Sequence, residues 1–407
     1  AGAAGAVGVC DGFAGASYTT CQVWLTGGHG DTASEAFRHW DTGGTVDAAC
    51  SRCHTDEGYL NQLQIVDEAK NVGTVTTTLV GIPAAQSDGI VCNACHTSAS
   101  APDVTNLRTV AALYMPGSTV GTNPYATEIA KPSQLSSVTN TTAWEKSKLC
   151  MTCHQARSST VQVTATLTDP NADGDTADNC LTNPDAVCMK NTAPLGFINL
   201  HYLGAAATQF GGVAQGGAQV EGKTYVGWGL DHSSASAVHN GGKVCTQCHD
   251  PHANTVLIAG CASGCHAGEA DPNDPRTYSA YSQDYDGDGT ADGGFTELTN
   301  LAQLLYAQMI AYTNPTTGSL LPPPTSSICY SPTTYPYWLV DTDGNGTCDA
   351  GETTGWGASG SGTGFSANLM IAAYNYQMWV KDPGTFAHNP DYIAQLLIDS
   401  IELLGGT

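Results

Sequence analysis

Five short motifs, each with two cysteines followed directly by a histidine, constrain this chain more than any other feature. Two cysteines at this spacing project from one turn, so both sulfurs reach the two vinyl groups of one porphyrin, and the adjacent histidine reaches its iron. The motifs therefore predict five covalently attached haems c. In chain order they are Cys50-Ser-Arg-Cys53-His54, Cys92-Asn-Ala-Cys95-His96, Cys150-Met-Thr-Cys153-His154, Cys245-Thr-Gln-Cys248-His249 and the one-residue-longer Cys261-Ala-Ser-Gly-Cys265-His266.

Paired cysteines have two other common uses. Zinc knuckles close one metal site with two CxxC pairs, and thioredoxin-like proteins use CxxC as a redox dithiol. Neither use requires a histidine after every pair. Haem attachment explains that histidine in all five motifs, and we therefore favour haem over zinc or a dithiol.

Seven of the 12 histidines lie outside the motifs. Five six-coordinate irons need five further ligands, so the chain can cap every haem with histidine and hold low potentials. His252 follows His249 by three residues and cannot cross to the opposite face of the same haem. We expect it to bind the iron of a neighbouring haem. The seven are His29, His39, His201, His232, His239, His252 and His388.

The charge balance excludes several partners. The chain has 13 Lys and Arg against 37 Asp and Glu, a formal charge of -24, which disfavours binding to nucleic acid and to anionic lipid. No segment approaches the ~20 apolar residues of a membrane span. We expect an exported chain, mature from Ala1 after loss of a signal peptide, that works outside the cell or at its surface.

Six cysteines remain outside the haem motifs, an even number that suits three disulfides in an oxidising compartment. Six cysteines allow 15 connectivities. We favour the short-range pairs Cys10–Cys21, Cys180–Cys188 and Cys329–Cys348.

Three acidic loops suggest structural Ca²⁺ sites. The first matches the 12-residue calcium loop at every position, with Gly346 at the sixth and Glu352 at the twelfth. The second lacks an acid at its twelfth position, although Glu297 is close in sequence, and the third is less complete. Solvated acidic turns are the alternative. The predicted ligands are Asp341, Asp343, Asn345, Thr347, Asp349 and Glu352 in the first loop; Asp284, Asp286, Asp288, Thr290 and Asp292 in the second; Asp169, Asn171, Asp173 and Asp175 in the third.

Composition predicts a mostly irregular, loop-rich fold with few α-helices and minor β-structure. Only 12% of residues are charged and 8% are aromatic, whereas the chain has 47 glycines. Such a chain buries little apolar surface, so the core should be packed with haem, as in a multihaem cytochrome c fold. We expect a haem-binding region with five haems over residues 1–270, and a region of calcium loops and helices over 271–407 packed on the haem chain. Apolar spacing predicts helices at 60–69, 299–312, 367–380 and from Pro390, and glycines suggest a hairpin over 211–229.

Several segments resemble the multihaem cytochromes of metal-reducing and related anaerobes, including the tetrahaem subunits of extracellular cytochrome nanowires. The resemblance implies that His29, His201, His239, His252 and His388 are distal haem ligands. It also implies a homopolymer in which His29 or His388 completes a haem of the adjacent subunit. The segments are Gly28-His29-Gly30, Glu35 to Trp40, Cys150 to Arg157, His201 to Thr208 with Phe210-Gly211, Cys245 to His252, and His388 to Tyr392.

These observations favour an electron carrier without catalytic residues, namely the subunit of a cytochrome filament that exchanges electrons with other cytochromes or extracellular acceptors. A monomeric surface or periplasmic carrier is the first alternative. A multihaem reductase with one open haem is less favoured, because no CxxCK motif occurs and spare histidines are plentiful. A non-redox matrix protein stiffened by calcium is least favoured.

Overall fold

The computed structural model describes most of the chain and divides it into two compact units. The first unit comprises Ala1–Tyr114, Tyr125–Cys153 and His232–Ala267, and the second comprises Met115–Pro124, His154–Asp231 and Gly268–Thr407. The predicted limit of the haem-binding region at residue 270 stays a prediction. The described residues are 10–72, 75–84, 89–98, 106–116, 141–227, 245–263, 266–279 and 283–406.

In the first unit, short helices carry the haem motifs. Thr55 caps the helix that follows the first motif, because its side chain accepts a hydrogen bond from the Gly58 N–H. This cap explains why the helix begins before the predicted 60–69. The helices are Gly15–Trp24, Glu35–Arg38, Ala48–His54, Asp56–Asp67, Cys92–Cys95, Thr141–Met151, Cys245–Cys248 and Ala259–Ala262, with a π-helical turn at Glu68–Val72.

In the second unit, three long helices pack together. Ser366 caps one of them at the Leu369 N–H, and Asn389 caps another at the Tyr392 N–H. Both helices start where predicted, whereas the helix predicted at 299–312 begins five residues earlier. The α-helices of this unit are Thr160–Thr168, Ala205–Ala214, Gly294–Tyr312, Ala367–Lys381, Thr385–His388 and Pro390–Leu403, and the 3-10 turns are Cys180–Thr182 and Pro275–Thr277.

The β-structure of the described residues consists of short antiparallel pairs. The longest pair places Cys329 opposite Leu339, and its second strand ends at Asp341, the first residue of the first acidic loop. The predicted loop-rich fold with few helices and minor β-structure is confirmed. The pairs are Thr45–Val46 with Ile82–Pro83, Met189–Lys190 with Ala193–Pro194, His249–Asp250 with Thr255–Val256, and Ser327–Tyr330 with Trp338–Asp341.

The hairpin predicted over 211–229 is wrong in its described part. Residues up to Ala214 are helical and no strand pair forms among the described residues of this segment, although the Gly212 N–H donates to the Val226 carbonyl at 2.8 Å. Other backbone groups of the segment bond to a neighbouring helix. The Gly217 N–H donates to the Tyr392 hydroxyl at 2.9 Å, and the Val226 N–H donates to Gln395 Oε1 at 2.9 Å. Glycine-rich sequence predicts extended backbone here but not the partner of that backbone.

The second unit also has an apolar core of its own, and the expectation that haem makes most of the core of the chain stays a prediction. Its helices, a strand and a loop bury large side chains, among them Trp338, Phe365, Tyr374 and Tyr392, at 0% exposure. Most of the aromatic residues of the chain lie in this unit, so a chain with few of them can still form an apolar core here. Among the described residues, no helix has both the length and the apolar character needed to cross a membrane.

Candidate haem and calcium sites

Cysteines of different haem motifs meet inside the first unit. The thiol of Cys150 is hydrogen-bonded with Cys245, and this contact, with burial, raises the pKa of Cys150. The thiol of Cys153 is paired in the same way with Cys53, and its sulfur lies 3.6 Å from the Arg52 carbonyl oxygen. Motifs about one hundred residues apart in sequence are therefore in direct contact.

An apolar cluster holds these motifs in place. Its members include Tyr59, Val66 and Leu149, and Cys95 and Cys153 pack against it. The Tyr59 hydroxyl donates to the Leu149 carbonyl at 3.0 Å, which ties the helix after the first motif to the helix before the third. Burial, followed by the nearby cysteines, raises the pKa of Tyr59 well above its ordinary value.

Three motif histidines use Nδ1 for a hydrogen bond with a neutral oxygen. His54 meets the Ala36 carbonyl at 2.8 Å, His96 meets Asn106 Oδ1 at 3.0 Å, and the His154 partner is the Leu203 carbonyl at 3.2 Å. A histidine that donates from Nδ1 presents the lone pair of Nε2 to a metal. These side chains fit axial ligation of haem iron.

The rings of His96 and His252 are nearly parallel, and their separation is close to that of two histidines bound to one iron. Their ring centroids are 6.4 Å apart and the ring planes differ by 14°. Two histidine–metal bonds of about 2.0 Å, with each ring centre roughly 1 Å beyond its nitrogen, give a separation of about 6 Å. The prediction that His252 turns to a different haem from that of His249 stays a prediction, and this geometry supports it.

His154 and His388 are neighbours in the second unit. Burial lowers the pKa of His154, a nearby Asp382 opposes this, and the proximity of His388 lowers it further. His388 Nδ1 lies 2.9 Å from Asp382 Oδ2. Asp382 is 3% exposed; burial alone would raise its pKa, but the contact with His388 brings the pKa below its ordinary value.

The other predicted distal ligands have less defined surroundings. The His29 N–H donates to Asn254 Oδ1 at 3.2 Å, and the His29 carbonyl accepts from the Ile90 N–H. His201 has a left-handed φ of 79° and its ring lies 6.0 Å from that of Tyr202. His39, left open as a ligand, is exposed and pairs with Glu35 at 2.7 Å. His232, His239 and Cys265 lie outside the described residues.

The first predicted calcium loop is closed by its two end carboxylates. Asp341 accepts hydrogen bonds from the N–H groups of Gly344 and Gly346, the fourth and sixth loop positions. Glu352 accepts from the N–H groups of Thr342 and Asp349, the second and ninth positions. Asp341, Asp343 and Glu352 bring one oxygen each within 4.8 Å of one another, an arrangement that could hold a cation.

The second loop reproduces this pattern with Glu297 in the role of Glu352. Asp284 accepts from Gly287 and Gly289, again the fourth and sixth positions. Glu297 accepts from the N–H groups of Tyr285 and Asp292, again the second and ninth positions. Glu297 is 1% exposed and lies in the first turn of the helix Gly294–Tyr312. Glu297 is close to the loop in sequence but was not among its predicted ligands.

The third loop is less complete. Asp169 accepts from the Asp173 and Gly174 N–H groups, and the Asn171 amide donates to Asp178. Within the described residues, no three carboxylates of this loop lie close enough together to hold one metal ion.

The three predicted disulfides are confirmed. They join Cys10 to Cys21, Cys180 to Cys188 and Cys329 to Cys348. The last two lie beside the third and first acidic loops, so the covalent links and the acidic turns share the same segments. Each pair is separated by fewer than 20 residues, and these short separations made the pairing predictable.

Comparison with known proteins shows that the chain resembles multihaem c-type cytochromes. It is 24% identical over 408 residues to the C-type polyheme cytochrome OmcB of two Geobacter sulfurreducens strains, an alignment that covers 92% of this chain and 46% of that protein. It is 25% identical over 430 residues to the C-type polyheme cytochrome OmcC of Geobacter sulfurreducens, covering 96% and 45% respectively.

The chain thus spans about half the length of the curated relatives that it matches. No protein-family model matches it, and no solved structure matches it.

Proposed function

We propose that this chain carries electrons outside the cytoplasm on five closely spaced haems c, each with two histidine ligands. The carrying observation is the direct contact between cysteines of different motifs, Cys53 with Cys153 and Cys150 with Cys245. A porphyrin attached at each of these sulfurs would have its edge against that of the next. Short edge-to-edge distances are what rapid electron transfer requires.

Two ligand pairs are part of this proposal. His96 and His252, whose rings are 6.4 Å apart, would hold one iron, and the neighbours His154 and His388 would hold another. His29, His201 and His239 serve the remaining haems within this proposal. When bound, haem supplies a one-electron couple whose potential the protein adjusts through its axial ligands and their hydrogen bonds. The chain itself holds, orients and shields the group.

Carbon monoxide tests whether every iron is capped. We expect the spectrum of the dithionite-reduced protein to stay unchanged on addition of CO, because six-coordinate bis-histidine iron offers no free position. A spectral change equal to one haem in five would overturn the fully capped arrangement and favour the multihaem reductase. Haem content, measured as the pyridine haemochromogen, should be five per chain.

We propose further that the chain is a subunit of a homopolymeric filament, with a histidine donated between subunits. Support comes from the segments that resemble nanowire cytochromes. It also comes from the five predicted haems, which are more than a carrier with a single redox site needs. Negative-stain microscopy of purified material should show filaments with a regular repeat. Single particles at all concentrations would favour the monomeric carrier, whose partners would be other cytochromes or extracellular acceptors.

The first two acidic loops are proposed to bind Ca²⁺ in a structural role, and the third loop is proposed as a weaker site. The shared pattern of N–H groups bound by Asp341 with Glu352, and by Asp284 with Glu297, supports the first two. Isothermal titration of chelator-treated protein with Ca²⁺ should find at least two sites. Absence of any Ca²⁺ binding would leave these loops as acidic turns.

A further inference from the structure

One buried carboxylate outside the haem motifs stands against a proposed axial ligand. We propose that Asp382 is a positioning residue that lowers the reduction potential of the haem bound by His388. This inference rests on the proposed function, in which His388 ligates haem iron.

The contact between the two side chains is short and shielded from water. His388 Nδ1 lies 2.9 Å from Asp382 Oδ2, and Asp382 is 3% exposed. The other oxygen, Oδ1, accepts from the Gly384 N–H at 3.2 Å. Both carboxylate oxygens are therefore held by the turn that carries His388, and the ring orientation is set with Nε2 directed away from the carboxylate.

The other histidines with a defined Nδ1 partner in the proposed ligand set contact neutral groups or more distant charge. His154 meets a backbone carbonyl and His96 meets the side-chain amide of Asn106. Asp250 lies beside His252, but its oxygen is 4.0 Å from Nδ1 and its side chain is 37% exposed. Among the contacts described here for these histidines, the closest carboxylate is the one beside His388, at 2.9 Å.

The chemistry fixes the sign of the effect. A carboxylate that accepts the Nδ1 proton gives the imidazole partial imidazolate character and makes Nε2 a more basic ligand. A more basic ligand stabilises Fe(III) over Fe(II), and a buried negative charge acts in the same direction. Asp382 should therefore lower the potential of this haem.

The position of Asp382 is costly for the fold, which supports a functional reason for it. Asp382 is the C-cap of the helix Ala367–Lys381, where the helix dipole disfavours negative charge. The adjacent Lys381 directs its ammonium elsewhere, to Asn199 Oδ1 at 2.7 Å and over the Tyr337 ring at 3.7 Å. The Asp382 carboxylate therefore pairs with His388 and not with the ammonium of Lys381.

The test is a redox titration of the intact haem protein with Asp382→Asn, which keeps the shape and removes the charge. We expect one haem in five to shift to higher potential by at least tenfold in its reduction equilibrium, about 59 mV for one electron. The matched control is Asp250→Asn. Its carboxylate accepts the backbone N–H of His252 but lies 4.0 Å from the ring Nδ1, too far for a hydrogen bond to the ring, so the variant should shift the potentials much less. Unchanged potentials in Asp382→Asn, with full haem content, would overturn the proposal.

A second variant separates this proposal from the assignment of His388. In His388→Ala, loss of an axial ligand should convert one haem to high-spin iron, visible by electron paramagnetic resonance. If all five haems stay low-spin, His388 is not a ligand and both ideas fail. If one haem becomes high-spin while Asp382→Asn leaves every potential unchanged, only the role of Asp382 is refuted. If Asp382→Asn loses haem, Asp382→Glu should restore haem content and a low potential, and failure of that rescue would also count against the role.

Discussion

At the scale of single residues, ring orientation is the informative property of the histidines. His54, His96 and His154 each engage Nδ1 with a neutral oxygen, which leaves Nε2 for a metal. His388 does the same with a carboxylate. The sequence predicts His54, His96 and His154 as ligands from motif spacing, and the family resemblance implies His388. The partners of their Nδ1 atoms come from residues that no local motif includes.

The pairing of His96 with His252 leads to a specific prediction. In His252→Ala, the iron proposed to lie between these rings loses one ligand, so the reduced protein should bind CO at one haem in five. Optical titration with CO measures this. His39→Ala is the control, because His39 is exposed and pairs with Glu35; it should leave the reduced protein inert to CO. An inert His252→Ala protein would contradict the assignment.

Glu297 provides a second prediction at this scale. Glu297→Gln should remove one Ca²⁺ from the stoichiometry, because its carboxylate closes the second loop. At a Ca²⁺ concentration 100-fold above the dissociation constant, the lost site should cost about 2.7 kcal/mol of linked stability. Calorimetric titration and thermal unfolding in Ca²⁺ and in chelator check this.

The control for that experiment is Glu221→Gln, since Glu221 is an exposed acid outside the loops. It should keep the wild-type Ca²⁺ stoichiometry and the wild-type response to chelator. An equal response of both variants to chelator would argue that the Glu297 site binds no cation.

At the scale of elements, a disulfide joins the longest strand pair to the first acidic loop. Cys329 lies in the strand Ser327–Tyr330, and Cys348 lies within the loop that follows the strand Trp338–Asp341. The disulfide therefore limits how far the loop can open. Loop, strands and disulfide are close in sequence, which explains why the motif and the pairing were predictable.

Removal of this disulfide should destabilise the second unit. With a sequence separation of 19, the Cys329→Ala/Cys348→Ala protein should lose about 3 kcal/mol of unfolding free energy, because the unfolded chain gains freedom. Ca²⁺ affinity of the first loop should also fall. The pair Cys180–Cys188, with a separation of 8, should cost less, about 2.5 kcal/mol. Denaturant unfolding of the haem-loaded proteins measures both values, and a larger cost for the shorter loop would contradict the entropic argument.

Some secondary-structure elements could be predicted from local sequence patterns and others could not. The helix Ala367–Lys381 was predictable because Ser366 caps an apolar run, a signal within a few residues. The segment after Ala214 was not, because its backbone groups bond to Tyr392 and Gln395, far along the chain. Local signals predict an element only when its hydrogen-bond partners are local.

At the scale of the whole molecule, net charge should control which reagents approach the proposed haems. The formal charge of -24 should attract cations and repel anions, with the two propionates of each haem adding to the effect. An acidic electron carrier of this kind should prefer basic partners or cationic acceptors.

Ionic strength tests this expectation. Oxidation of the reduced protein by a cationic complex such as hexaamminecobalt(III) should slow as salt is added, because screening weakens the attraction. Oxidation by anionic ferricyanide should become faster over the same range. Stopped-flow absorbance at the haem bands measures both rates. Identical salt dependence for the two oxidants would show that the net charge does not control access.

The sequence by itself determined the features whose partners are local. It predicted covalent haem attachment from CxxCH spacing, the three disulfides from short separations, and the acidic loops from a 12-residue pattern. Only the tertiary structure decided which distant groups meet: Cys53 with Cys153, His96 with His252, and His154 with His388. The physical reason is that spacing constrains atoms within one turn or loop, whereas contacts across one hundred or more residues depend on how all the intervening elements pack.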